Sequence, residues 1–142
     1  MSEQSGQHEK AGFSENRPIL LVVVPWRERA LLLAELQERG YEVRALPGIV
    51  HAIGYVIRRP RVQPALVVLD VNDDPDISAR TLRDLAELTE DAPWVIISSA
   101  TRRVDGLDAL PQGKVHTLRR PVRVEDVVSA VAAFLEGADE NR

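Results

Sequence analysis

Pro64-Ala65-Leu66-Val67-Val68-Leu69-Asp70 places four consecutive large aliphatic residues before a carboxylate. An apolar run without alternation fits a strand buried on both faces, as in a parallel sheet covered by helices. Two other runs share this character: Ile19 to Val24, and Val95 to Ile97 after Pro93. The stretches Tyr41 to Leu46 and Val115 to Leu118 instead mix apolar and polar positions, as half-exposed edge strands do.

Helical patterns separate these five strands. From Trp26 to Arg39, Leu32, Leu33 and Leu36 recur at helical spacing; Pro25 precedes them and Gly40 supplies a stop. A second helix is predicted from Ile49 to Arg59, ended before Pro60. Asp76 or Ser78 can cap a third, with Leu82, Leu85 and Leu88 facing the core. Residues 101–112 contain Gly106 and Pro111, so a fourth helix should be short or irregular. The last, Val124 to Leu135, aligns Val124, Val127, Val128, Val131 and Leu135 on one stripe. Central strands one, three and four with edges two and five, joined by right-handed crossovers, give the order 2-1-3-4-5. This is a flavodoxin-like doubly wound α/β sheet, (βα)5, with helices one and five on one face and two to four on the other.

One domain over residues 18–136 accounts for the pattern within a chain of 142 residues. The polar residues 1–17 and 137–142 are expected to be disordered tails. Net charge is −4 and no cysteine is present. An acidic balance argues against nucleic acid as the main partner, and the lack of cysteine excludes disulfides and thiolate metal sites. No apolar run approaches the roughly 18 residues of a membrane span, and residues 1–17 lack a secretory apolar segment, so a cytoplasmic protein is expected. The histidines His8, His51 and His116 share no metal-ligand spacing. Arg58, Arg59 and Arg61 read as a solvated face or a helix C-terminus.

In such a sheet, chemistry sits outside the carboxyl ends of the strands. Those ends carry Val23 and Val24, Asp70, Ser98 and Ser99, and Arg120. A carboxylate, a hydroxyl and a guanidinium from three strands suit an acyl phosphate: nucleophile, hydrogen-bond donor and balancing cation.

These residues resemble the response-regulator receiver (CheY-like) family over about residues 18–136. Pro64 to Asp70 is similar to its strand-three signature and puts Asp70 at the phosphoacceptor position. Leu118-Arg119-Arg120-Pro121 resembles the Lys-Pro motif on strand five with Arg120 in place of lysine, and Gly113 matches the glycine that opens that strand. Ser98, or Ser99 followed by Ala100, falls at the Thr or Ser position. The resemblance also marks departures. Val23 and Val24 stand where receivers carry the two acidic residues that hold magnesium, and Thr117 replaces the aromatic switch residue. A hard cation needs oxygen ligands, which valine lacks. Asp70 and a carbonyl near Asn72 would remain; Asp73 and Asp74 are alternative ligands or members of a solvated turn.

The resemblance implies a stand-alone pseudo-receiver in two-component phosphorelay signalling that acts through protein–protein contacts and is not an enzyme. Mg²⁺ binding is expected to be weak or absent, with phosphorylation of Asp70 impaired or lost. Expected partners are a histidine kinase or downstream effector, with a homodimer through the fourth helix, fifth strand and fifth helix, where Arg119 and Arg123 lie near Glu125 and Asp126. No DNA-binding segment is expected after the last helix. A working phosphoacceptor is the first alternative. A small-molecule-binding flavodoxin-like domain is the second, disfavoured because Val24-Pro25-Trp26-Arg27 is no Gly-rich phosphate loop. Without metal, Asp70 needs a cation, and Arg120 can serve as a structural partner or a catalytic one.

Overall fold

The computed structural model describes residues 17–90, 92–100 and 103–140. Its elements run β1 (Ile19–Val22), α1 (Trp26–Glu38), β2 (Val43–Leu46), α2 (Ile49–Arg58), β3 (Leu66–Asp70), α3 (Ala79–Thr89), β4 (Trp94–Ser98), a 3-10 turn (Leu107–Ala109), β5 (Val115–Arg119) and α4 (Val124–Glu140). The five strands are all parallel, in the order β2-β1-β3-β4-β5. Every residue of β1 and β3 is buried, whereas β5 is exposed along nearly its whole length.

The pleat divides the apolar runs between two layers. Leu20, Val22, Val67, Leu69, Trp94 and Ile96 face α2 and α3, joined by Ile49, Tyr55, Leu82 and Leu85. Ile19, Leu21, Leu66, Val68, Val95 and Ile97 face α1 and α4, where Leu32, Leu36, Val127 and Val131 meet them. A strand covered on both sides leaves no position for a polar residue until it emerges at its carboxyl end. That is why Asp70 is the first polar residue of β3.

The region between β4 and β5 departs from a five-helix plan. Of the expected fourth helix, the described residues form only the 3-10 turn. Gly106 adopts φ 96°, and a Cβ there would lie 2.5 Å from the Ala79 Cα, so the chain passes tightly against the start of α3. A left-handed residue interrupts a helix, and here the contact needs glycine. Val115 and Thr117 lie in register beside Trp94 and Ile96, on the face that such a helix would cover. Both are exposed.

At the other end of the chain, α4 continues through Glu140, past the Gly137 where a tail was expected. A glycine inside a helix costs only about 1 kcal/mol relative to alanine and need not end it. The expected N-terminal tail, apart from Arg17, lies outside the described residues.

Candidate functional site

Asp70 ends β3 with its side chain fully buried. Its Oδ1 accepts the Asn72 backbone N–H at 2.9 Å, so the loop after β3 folds back onto its own carboxylate. Its Oδ2 accepts a hydrogen bond from Nη2 of Arg120, the residue after β5. The backbone holds Arg120 there: its N–H donates to the Ser98 carbonyl at 2.8 Å. The expected contact between Asp70 and Arg120 is therefore present. The same nitrogen, Nη2, also donates to Oε1 of Glu28 at 2.6 Å. One guanidinium nitrogen bridges two carboxylates.

Glu28 was not among the residues singled out from sequence. It lies in the first turn of α1, and α1 begins where β1 ends. The carboxyl edge of the sheet collects the first turns of helices as well as strand ends, and an acidic residue three positions after Pro25 was the available signal.

The neighbouring positions are neutral but not idle. Val23 is buried and Val24 half-buried, and neither side chain offers an oxygen. Their carbonyls accept from Nη1 of Arg29, at 2.7 Å and 3.0 Å. Ser98 and Ser99 are half-buried at the end of β4, while Thr117 is exposed on β5.

Asp74 is neither a solvated turn residue nor a member of this cluster. It is 2% exposed, and its Oδ2 accepts the Ile49 N–H at 2.8 Å while Oδ1 accepts the Asp76 N–H at 3.0 Å. It caps α2 from outside, where the adjoining residue, Gly48, has no side chain to do so. Asp73 is exposed. Ser78 caps α3, with Thr81 completing a reciprocal capping box.

Burial and charge pull the two carboxyls apart. Burial pushes Asp70 above the ordinary aspartate value, against the opposing pull of the Asn72 N–H and Arg120, and the nearby Glu28 adds to the rise. Burial also acts to raise Glu28, but hydrogen bonds with Arg120 and Asp70 outweigh it and hold Glu28 below its ordinary value. Arg120 is raised, first by its hydrogen bond to Glu28, and stays charged. Two carboxylates sharing one cation favour a proton on the more deeply buried one.

No protein-family model and no curated protein matches the chain. Among solved structures it is similar to a CheY-like receiver-domain protein from Methanospirillum hungatei JF-1, at 15% identity and a TM-score of 0.70, covering 89% of this chain and 98% of that one. A receiver-domain protein from Clostridium thermocellum gives 18% identity and a TM-score of 0.67, covering 89% and 99%. The receiver domain of the hybrid histidine kinase CckA gives 21% identity and 0.65, covering 83% and 98%. At these identities the likeness establishes the fold, which is that of receiver domains.

Proposed function

We propose that this domain is a receiver-type signalling module that works through protein–protein contacts, with Arg120 and Glu28 holding Asp70 where a divalent metal would otherwise act. The observation that carries this reading is the bridge from Arg120 to both carboxylates. A hard cation does not fit this donor set. Both acidic side chains face a guanidinium, and the carbonyls of Val23 and Val24 are given to Arg29. Among the described residues, no group of three or more potential metal-ligating side chains occurs. Mg²⁺ entering the pocket would have to displace Arg120 and meet too few oxygens.

The module acts in the cytoplasm, and its partners are a histidine kinase or a downstream effector. Among the described residues, no helix is long and apolar enough to cross a membrane. The surface made by the 3-10 turn, β5 and α4 is its self-association face. There Arg119, Arg123, Glu125 and Asp126 are all exposed, and a two-fold axis can pair such opposite charges.

Intact-mass measurement after incubation with acetyl phosphate, with and without Mg²⁺, tests the state of Asp70. No phosphoryl adduct under either condition is the expected result. A Mg²⁺-dependent adduct lost in Asp70→Asn would overturn the reading. A metal-independent adduct on Asp70 would favour the phosphoacceptor alternative.

A further inference from the structure

α2 is apolar on both of its sides. Its inner side packs Ile49, Ala52, Tyr55 and Val56 into the core. On its outer side, Val50 is 51% exposed and Ile57 59% exposed, with Gly54 between them. His51 and Arg58 are exposed on the same side, so two apolar anchors stand there among polar neighbours. Val50, Gly54 and Ile57 follow a helical repeat.

The segment that carries this helix is basic. Residues 43–69 contain no aspartate or glutamate, yet they hold Arg44, Arg58, Arg59 and Arg61, in a chain of net charge −4. Arg59 stacks on Tyr55, 4.3 Å from the ring centroid. The Arg58 guanidinium lies over Gly54, where a Cβ would be 3.1 Å from its Nη1. Among the described residues, no carboxylate pairs with Arg58 or Arg61.

From these observations we infer that the outer face of α2 is a docking surface for an acidic amphipathic helix of a partner protein. Leucine-like anchors would cover Val50 and Ile57, and flanking carboxylates would meet Arg58 and Arg61. Anchors at helical spacing supply affinity, and the charges supply orientation and specificity. The surface is separate from Asp70, so its occupancy and the phosphorylation assay report on different residues.

The test is a heteronuclear NMR titration of the full chain with a designed helical peptide bearing one leucine stripe flanked by glutamates. Shifts centred on Val50, Gly54, Ile57 and Arg58 are expected, weakened about tenfold or more by Ile57→Glu. Arg58→Glu with Arg61→Glu should also weaken binding, and a lysine-flanked version of the peptide should restore it. Ile57→Ser serves as a milder second variant, and unchanged thermal unfolding certifies each fold. The inference is overturned by shifts absent from α2, or by equal binding of the lysine-flanked peptide to the unaltered chain. It is equally overturned if α2 shifts on raising protein concentration alone, which marks a second copy. The same holds if phosphatidylserine vesicles shift α2 and the peptide does not, which marks a membrane surface.

Discussion

Asp70 has no access to water and depends on Arg120 for the positive charge at its Oδ2. Removing a partner from a buried carboxylate leaves its desolvation uncompensated. Arg120→Ala is expected to lower stability by about 1–3 kcal/mol in urea unfolding. Adding Asp70→Asn should recover part of that loss, whereas two additive single effects would mean no coupling. The pH dependence has opposite signs at the two carboxyls. The folded protein holds the Asp70 proton more tightly than the unfolded chain, so that contribution is complete below the ordinary value of 3.8 and fades as pH rises through the raised folded value. Glu28 is lowered, so its contribution is complete above 4.5 and fades as pH falls through its folded value. Relative to the unaltered protein, Asp70→Asn should therefore gain stability as pH rises above 3.8, and Glu28→Gln should lose it as pH rises towards 4.5. Urea midpoints of the three proteins across acid and neutral pH give the comparison; parallel curves would contradict it.

At the scale of elements, α2 is held at its start by a residue from a different loop. Asp74 lies four positions after Asp70 and satisfies the Ile49 N–H, so the loop following β3 joins the carboxylate cluster to the start of α2. Asp74→Ala leaves a buried helix-terminal N–H unpaired. The expected loss is about 1–3 kcal/mol, with Asp74→Asn recovering some of it, because an amide oxygen can still accept. Hydrogen exchange should show the first turn of α2 opening in the alanine variant while α3, capped by Ser78, keeps its protection. Equal opening of both helices would place the effect elsewhere.

Over the whole molecule, the connection between β4 and β5 changes which surface is available. Among the described residues only a 3-10 turn forms there, and Val115, Thr117 and Arg119 on β5 are exposed, as is Arg123 before α4. Asp126 also accepts the Arg123 N–H at 3.0 Å, which fixes that charge at the start of α4. Two-fold association through this face should show in sedimentation equilibrium as an average mass that rises with concentration. Added salt should reverse it, since exposed ion pairs are screened. A mass that stays monomeric at high concentration and ignores salt would remove this face as a self-contact. Arg119→Glu should reduce the association, and a mixture with a Glu125→Arg chain should restore it.

The sheet order was legible in the amino-acid sequence because burial on two faces leaves a local record. Leu66 to Leu69 is uniformly apolar, β2 is mixed, and no distant residue is needed to read the difference. Asp70 and Arg120 were legible for a related reason, since strand ends in this topology converge at one edge. Glu28 was not, because its place depends on how the first turn of α1 crosses that edge, 92 residues away from Arg120 in sequence. The role of Asp74 was hidden in the same way: a cap supplied across 25 residues has no local pattern. Gly106 hinted at an interrupted helix, but the contact with Ala79 that requires glycine belongs to the packing of α3. Apolar periodicity is a property of neighbours along the chain and determined the fold class. Charge pairing and capping depend on atoms a few ångströms apart in space, and those only the tertiary structure decided.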